Sequence, residues 1–96
     1  MGLVFEWDPA KAEANQKKHS VSFEEASTVF GDPLARLVDD PEHSEAEPRY
    51  VLLGHSTAGR MLTVMHTERG QVIRLISARE MTRNERDQYE RYQRGA

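Results

Sequence analysis

Apolar positions in the first part of the chain change from a short continuous run to a helical spacing. The run LVFEW, residues 3–7, is typical of a strand. Asp8 followed by Pro9 predicts a helix N-cap with proline at the first helical position. The helix that follows, over residues 9–19, has a thin apolar face and ends in basic residues, which the helix dipole favours there.

A second helix is indicated by the segment VSFEEASTVFGD, residues 21–32. Ser22 and Glu25 form a capping-box pattern at its start, and apolar residues recur behind them at helical spacing. Gly31 is placed to end the helix as a C′ residue, and Pro33 prevents its continuation.

The central part of the chain has the pattern of strands separated by turns. LARLV, residues 34–38, is a possible short strand, and the acidic segment over residues 39–48 predicts an exposed loop. Three strands are then predicted over residues 49–55, 60–67 and 71–78. The glycines of the intervening STAG and ERGQ segments supply the positive φ that tight hairpin turns need.

The last hairpin determines which side chains share a face of the sheet. With Arg69 and Gly70 as the two turn residues, Met65 faces Arg74 across the strands. The face of the sheet that carries Arg74 is half polar, with Arg74 at its centre. The opposite face is the predicted core face, and a one-residue slip in the pairing would exchange the two. The predicted core face carries Leu62, Val64, Ile73 and Leu75.

A polar helix is predicted at the C-terminal end of the chain. Thr82 and Glu85 form a second capping-box pattern, which opens a helix over residues 83–94. Its only large apolar residues are two tyrosines, so it buries little surface. Residues 84–96 are therefore expected to be either an exposed arm or a docking surface for another chain.

The order of elements is β-α-α-(β)-β-β-β-α over residues 1–96, with no repeat and no linker between two cores. This order predicts a single α+β domain: a small antiparallel β-sheet, helices packed on one face, and a cationic patch on the other. A chain of 96 residues is long enough for one small core.

The charge distribution points to a partner more clearly than the net charge of −3 does. Residues 1–59 hold 5 Lys/Arg and 11 Asp/Glu, a balance of −6, whereas residues 60–96 hold 8 and 5, a balance of +3. All eight cations of the second part are arginines, which suit bidentate phosphate contacts. A solvated, salt-bridged surface is the other interpretation, and composition alone favours it. The absence of cysteine and of a long apolar run fits a cytoplasmic protein without a membrane span.

Motifs for metal, nucleophile and nucleotide chemistry are absent from the sequence. The four histidines have no metal-ligand spacing, and there is no GxSxG, P-loop or GxGxxG segment. His43 stands in the acidic loop, where solvation is a better interpretation than metal binding. His66, near a strand end beside the last hairpin, is either a general base or a satisfied strand histidine. We therefore expect no metal and no cofactor.

The arginines are the remaining candidates for a site. Arg74 within the last strand, Arg79 at its end and Arg83 in the next helix can converge, and Arg60 starts the neighbouring strand. Such a cluster can hold a phosphate and stabilise the extra charge of a phosphoryl transition state.

Ion pairing is the alternative role of these arginines. Arg79 can pair with Glu80 or Glu85, and Arg74 with an acid of the first strand such as Glu6. For one arginine alone the ion pair is the favoured interpretation, but for three on an otherwise uncovered face we favour a site.

Two long segments of the chain resemble a known family. They are FEWDPAKAEANQKKHSVSFEEASTVFGDPLA and GRMLTVMHTERGQVIRLISAREMTRNERDQYE, and their most specific pieces are WDP, KH, VSFEEA, DPLA, HTERG and RLISARE. In this order and spacing they resemble the BrnT family of bacterial type II toxins, over about residues 5–90.

The resemblance implies a fold, an activity and a set of partners. The expected fold is RelE-like, a compact antiparallel sheet with helices on one face. The implied activity is a metal-independent endoribonuclease that cleaves RNA and arrests growth. The implied partner is a BrnA-type antitoxin with a ribbon-helix-helix part, in a heterotetramer with two toxins that represses its own promoter. Operator DNA is thus expected to be bound only through the antitoxin complex.

The resemblance also suggests roles for particular residues. Arg74 and Arg79 match the family's RIISAR-like segment and would face the scissile RNA phosphate, with Arg83 as a third cation. Which residue is the base stays open. Candidates for proton transfer or RNA contact are His66, Lys18 and His19, and Arg60 is a further candidate for phosphate binding. The alternatives are a catalytically inactive toxin-like module that only pairs with an antitoxin, and a regulatory protein that binds RNA without cutting it.

Overall fold

The computed structural model describes residues 2–39 and 47–93, so most of the predicted acidic loop, His43 included, lies outside the described residues. The helices are α1 (Pro9–His19), α2 (Phe23–Thr28) and α3 (Arg83–Gln93), and none of them is long and apolar enough to cross a membrane. The strands are β1 (Val4–Glu6), β2 (Arg36–Asp39), β3 (Tyr50–His55), β4 (Met61–Arg69) and β5 (Val72–Glu80). The predicted order of elements is confirmed.

The five strands form one sheet in the order β1-β5-β4-β3-β2. Strands β2 to β5 pair in antiparallel fashion, as predicted. Strand β1 instead joins β5 in parallel, with Glu6 opposite Arg74, so the sheet is mixed. The α+β class is confirmed, whereas the parallel edge had no local signal because β1 and β5 are separated by most of the chain.

One face of the sheet, here called the core face, is covered by α1, α2 and a 3-10 turn at Val29–Gly31. All four residues predicted for the core face belong to this buried cluster. Gly54 of β3 allows the turn to lie directly on the sheet, because a Cβ there would stand 2.9 Å from Val29 Cγ1. The buried members of the cluster are Val21, Phe23, Ala26, Val29, Leu52, Leu62, Val64, Ile73, Leu75 and Ala78.

The end of α2 differs from the prediction. The helix tightens into the 3-10 turn, and the Asp32 N–H donates to the Val29 carbonyl at 3.0 Å. Gly31 lies inside this turn and has no positive φ, so it is not a left-handed C′ residue. A final 3-10 turn satisfies the last helical groups locally and removes the need for a left-handed cap.

Asn15 joins α1 to the edge of β5. Its Nδ2 donates to the Val21 carbonyl at 2.9 Å and to the Ala78 carbonyl at 2.8 Å, while its Oδ1 accepts from the Ala78 N–H at 3.1 Å. Strand β1 pairs with β5 only as far as Arg74. The buried carboxamide of Asn15 therefore takes the place of a neighbouring strand farther along β5.

The β4–β5 turn is displaced by one residue from its predicted position. Arg69 pairs with Val72, which leaves Gly70 and Gln71 as the turn residues, and Gly70 has a φ of +64°. The predicted turn at Arg69 and Gly70 is thus wrong. A one-residue shift of a two-residue turn moves the pairing by two positions, which preserves the side-chain alternation. The predicted faces therefore survive the error near the turn.

A β-bulge in β5 then brings two arginines to one face. The register shifts between Met65 and His66 of β4, and Ile76 of β5 is left without a pairing partner. On a regular strand, residues five positions apart point to opposite faces. The extra residue corrects this parity, so Arg74 and Arg79 share a face.

Helix α3 packs on the face opposite to α1 and α2. Tyr89 is 1% exposed and forms a second cluster with Leu53 and Met81, against which Val51 and Met61 also pack. The helices therefore lie on both faces of the sheet, and α3 is docked on the sheet rather than a free arm. The buried tyrosine gives this otherwise polar helix an apolar contact with the sheet.

The hydroxyl of Tyr89 is also satisfied inside the protein. It donates to Asp32 Oδ2 at 2.8 Å and lies 2.9 Å from His55 Nδ1. Burial, reinforced by the hydrogen bond to Asp32, raises the pKa of Tyr89 to about 12. The phenol therefore stays protonated at neutral pH and holds α3 to both β3 and the segment after α2.

Candidate arginine site

The face of the sheet opposite the core face, here called the arginine face, carries Arg69, Arg74 and Arg79. Helix α3 covers part of it through Tyr89, which packs on Leu53. The part next to the β4–β5 turn is left open by the three described helices. Each of the three arginines has a carboxylate partner, so this face carries ion pairs rather than a patch of unbalanced positive charge.

Arg74 has one hydrogen-bonded partner among the described residues. Its Nη1 donates to Glu6 Oε2 at 3.0 Å, and the two side chains are 39% and 42% exposed. Glu6 stands opposite Arg74 in the parallel β1–β5 pair, so the contact follows from the register. The predicted alternative partner is thus present. An exposed, singly bonded ion pair is weak, and a phosphate can replace the carboxylate.

Arg79 is held more firmly than Arg74. It donates to both carboxylate oxygens of Glu85, at 2.7 and 2.9 Å, and to the Glu80 carbonyl at 3.3 Å. Glu85 also accepts from Thr63 Oγ1 and from the Thr82 N–H, both at 2.8 Å. Burial opposes ionisation of Glu85, but these hydrogen bonds outweigh it and lower its pKa to about 2.

Glu85 should make stability depend on acid pH. Its folded pKa of about 2 lies below the usual 4.5, so its contribution is present above pH 4.5 and is lost as the pH falls toward 2. We expect the wild type to exceed Glu85→Gln in free energy of unfolding at neutral pH, with the difference shrinking across that window. Urea unfolding at several pH values measures it.

The exposed Glu90 of α3 offers a matched control, since Glu90→Gln removes the same charge from the same helix. Its pH profile should run parallel to that of the wild type. A Glu85→Gln profile that stays parallel to the wild type down to pH 2 would contradict the assigned role of Glu85.

Arg60 and Arg83 do not join the arginine face. Arg60, the residue just before β4, donates to both carboxylate oxygens of Glu25 in α2 and to the Ser20 carbonyl at 2.9 Å, so it ties the start of β4 to the helices of the core face. Arg83 is exposed in the first turn of α3, and no described hydrogen bond or ion pair directs it toward Arg74. The predicted convergence is therefore not seen. Arg74 and Arg79 share a face, but they stand five residues apart along β5 and are bonded to different carboxylates.

His66 lies on the core face. Its ring is fully buried against the rings of Phe30 and Tyr50, at centroid distances of 4.9 and 5.8 Å. The Nε2 atom lies 3.0 Å from Glu68 Oε2, and Nδ1 is buried without a hydrogen-bond partner among the described residues. The sheet separates this imidazole from Arg74, so the structure does not bring the two together.

Lys18 and His19 lie in the last turn of α1. Ala12 of the same helix packs against the core cluster, so α1 belongs to the core-face side of the molecule. No hydrogen bond or ion pair of the described residues connects Lys18 or His19 to the arginine face. The structure thus separates both of them from Arg74.

Arg69, one of the two residues of the predicted turn, is instead a β4 residue on the arginine face. Its Nε and Nη2 donate to the two carboxylate oxygens of Glu47, at 2.6 and 3.0 Å. The hydrogen bond from Arg69 lowers the pKa of Glu47, and the charges of Arg74 and Arg49 lower it further. The strand register makes Arg69 and Arg74 diagonal neighbours on one face. The correct turn position would have placed Arg69 on the same face as Thr67, because residues two positions apart on a strand point to the same side.

Metal ligands do not cluster in the described part of the chain. Within residues 2–39 and 47–93, no group of three or more His, Cys, Asp or Glu side chains could hold a metal ion. On the arginine face, the carboxylates of Glu6, Glu47 and Glu85 are each hydrogen-bonded to an arginine.

Comparison with known proteins identifies the family. Residues 7–85 match the family described as the ribonuclease toxin, BrnT, of type II toxin-antitoxin systems. The chain belongs to the BrnT family. The match covers most of the chain, from Trp7 to Glu85, and so includes the arginine face. Membership of a type II toxin-antitoxin family implies an antitoxin partner.

A solved structure of the BrnT family has a similar fold. The crystal structure of the Brucella abortus ribonuclease toxin BrnT matches with a TM-score of 0.62 and 20% sequence identity, over 86% of this chain and 99% of that one. At this identity the likeness establishes the fold alone, and it confirms the α+β fold that the resemblance implied. A search of the curated proteins gives no match.

Proposed function

We propose that this BrnT-family chain is an endoribonuclease that binds the scissile phosphate at Arg74 and arrests growth when no antitoxin covers it. The observation that carries the proposal is the placement of Arg74. It lies on the open part of the arginine face, and its exposed pair with Glu6 is a bond that RNA can replace. The family match supports ribonuclease chemistry.

The proposed reaction takes its nucleophile from the substrate. The RNA 2′-oxygen attacks the adjacent phosphorus, the new O–P bond forms, and the bond from phosphorus to the 5′-oxygen breaks. The 2′-hydroxyl loses a proton and the 5′-oxygen gains one. Such a reaction requires no metal, since cationic side chains can stabilise the extra negative charge on phosphorus. We assign that role to Arg74.

Arg74 and Arg79 have different roles in the proposed reaction. Arg74 contacts the phosphate directly. Arg79 instead holds the start of α3 on the sheet through its two hydrogen bonds to Glu85. The position of His66 on the core face gives no support to a role as general base for RNA bound at Arg74.

The proposed partner is a BrnA-type ribbon-helix-helix antitoxin, in a heterotetramer with two toxins that binds operator DNA. Covering the arginine face would silence the toxin directly. Exposed Tyr92 extends this surface, with the guanidinium of Arg36 4.8 Å from its ring centroid. Deleting residues 84–96 is a poor test of the contact, because it also removes the buried Tyr89.

A second candidate function is a catalytically inactive toxin-like module that only pairs with an antitoxin. The specific observation in its favour is that Arg74 and Arg79 are both already bonded to carboxylates. A module of this kind would share the fold and the partner but would leave RNA intact.

Expression in a host that lacks the antitoxin separates the two functions. We expect the wild type to arrest growth with loss of RNA integrity, and Arg74→Ala to do neither while remaining soluble. Arg74→Ala/Arg79→Ala should behave like the single variant. Lys17→Ala, at an exposed position of α1, is the control and should arrest growth like the wild type. Soluble wild type that leaves both growth and RNA unaffected would reject the nuclease and favour the inactive module.

A further inference from the structure

We propose that Arg69, above the buried hydroxyl of Thr67, forms a second phosphate-binding subsite, which Glu47 occupies in the free protein and an RNA phosphate takes over on binding. The inference deepens the proposed function and rests on it, because the second phosphate belongs to the same RNA strand as the one at Arg74. The turn end of the arginine face would thus hold two neighbouring phosphates.

The contact between Arg69 and Glu47 has the geometry of an anion site. Two parallel hydrogen bonds, of 2.6 and 3.0 Å, join the guanidinium fork to the two carboxylate oxygens. Arginine presents the same fork to two oxygens of a phosphate. The carboxylate of Glu47 therefore stands where two phosphate oxygens would be bound.

The register places this anion site next to Arg74. Thr67 is opposite Arg74, and Arg69 is opposite Val72, so Arg69 and Arg74 are diagonal neighbours on one face. Such neighbours lie about 7–8 Å apart, within reach of long side chains. The hydrogen bond from Arg69 and the charge of Arg74 both lower the pKa of Glu47, in agreement with this placement.

Thr67 supplies an independent indication of a ligand. It lies opposite Arg74 and two positions from Arg69 on the same strand, so its side chain is directed to the arginine face between them. The residue is only 4% exposed, and its Oγ1 is buried without a hydrogen-bond partner among the described residues. A buried hydroxyl without a partner is costly. A phosphate oxygen bound by the two arginines would accept its hydrogen bond.

The exposure of the pair favours exchange over a fixed structural role. The side chains of Arg69 and Glu47 are 57% and 38% exposed, and Glu47 precedes β3 rather than lying in the core. Exposed pairs of this kind are weak and screened by salt. By contrast, the Arg79–Glu85 and Arg60–Glu25 pairs are more buried and fix helices to the sheet.

The test measures binding without cleavage. The probe is a short 2′-O-methyl oligoribonucleotide, which lacks the nucleophile, and its affinity is measured by fluorescence anisotropy as a function of salt. Each phosphate contact to a single strand contributes about 0.7 to the slope of log K against log salt. We expect Arg69→Gln to reduce the slope by about this amount, and Glu47→Gln to raise affinity about two- to fivefold, the factor of an exposed ion pair.

The chain provides matched controls for both charge changes. Lys17 and Glu13 form an exposed pair on α1, with a separation of 3.8 Å between Nζ and Oε2. Lys17→Gln should leave the slope unchanged, and Glu13→Gln should leave affinity within about twofold of the wild type, since both lie on the other side of the sheet.

Each outcome bears on the proposal. Equal slopes for Arg69→Gln and Lys17→Gln would overturn the subsite, as would a wild type that does not bind the probe. If the wild type nevertheless cleaves RNA in cells, the proposed function stands and only the subsite is rejected. The expected slope change in a protein that cuts no RNA would keep the subsite and reject the nuclease.

Discussion

Arg74→Ala is expected to lower the rate of RNA cleavage by about 100- to 1,000-fold, the loss that follows when one donor to a transition-state charge is removed. The side chain stands on the open part of the arginine face and has Glu6 as its hydrogen-bonded partner. Alanine removes the only group that we assign to direct contact with the scissile phosphate. The effect should therefore appear in the cleavage step and not only in RNA binding.

The measurement is single-turnover cleavage of a defined RNA by purified protein, in the presence of EDTA. Arg74→Lys should retain part of the activity, since it keeps the charge but loses the planar fork. The fold should survive, because an exposed ion pair contributes only about 0.2–1 kcal/mol. Lys17→Ala serves as the control for loss of a surface cation. Cleavage by Arg74→Ala at the wild-type rate would move the chemistry away from Arg74, and cleavage abolished by EDTA alone would contradict the metal-free reaction.

Asn15→Leu is expected to destabilise the protein by about 3–5 kcal/mol, the largest stability effect of a single substitution that we predict. Leucine has a similar volume but makes none of the three hydrogen bonds to Val21 and Ala78. The N–H and carbonyl of Ala78 would then be buried without partners at the edge of β5. Because small domains are stable by only about 5–15 kcal/mol, a large part of the total would be lost.

Urea unfolding of the purified variants measures this effect. Gln16→Ala is the matched control, because Gln16 is the exposed neighbour of Asn15 on α1 and should change stability by no more than about 0.5 kcal/mol. Asn15→Asp tests the donors separately, since a carboxylate can still accept from Ala78 but cannot donate to the two carbonyls. A loss below about 1 kcal/mol for Asn15→Leu would show that the edge of β5 does not depend on this side chain.

Local signals in the sequence were sufficient for the helix starts. Asp8 caps α1 through the Ala10 N–H, and Ser22 caps α2 through the Glu25 N–H, at 2.9 and 3.0 Å. The second capping box is reciprocal, with Thr82 and Glu85 each accepting from the other's N–H. These motifs were predictable because donor and acceptor are at most three residues apart. The side chain of Glu25 instead bonds Arg60, a partner 35 residues away that no local pattern could reveal.

Part of the arginine face was predicted correctly, because the turn error shifted the strand pairing by an even number of residues. The turn error moved the strand pairing by two positions, so side chains near the turn kept their faces. Arg79 is on the same face as Arg74 only because the bulge at Ile76 adds one residue between them. The sequence of β5 carries no clear signal of that bulge, such as a glycine, so the agreement for Arg79 depended on tertiary structure.

The amino-acid sequence by itself determined the order of elements, the helix starts, the apolar core of the last hairpin and the resemblance to the BrnT family, because each depends on neighbouring residues or on motif order. Only the tertiary structure decided which distant groups meet. It put His66 on the core face, bonded Arg79 to Glu85, docked α3 through Tyr89 and gathered Arg69 and Glu47 beside Arg74. Strand register, bulges and the packing of distant segments fix these contacts, and none of them is a property of a short stretch of chain.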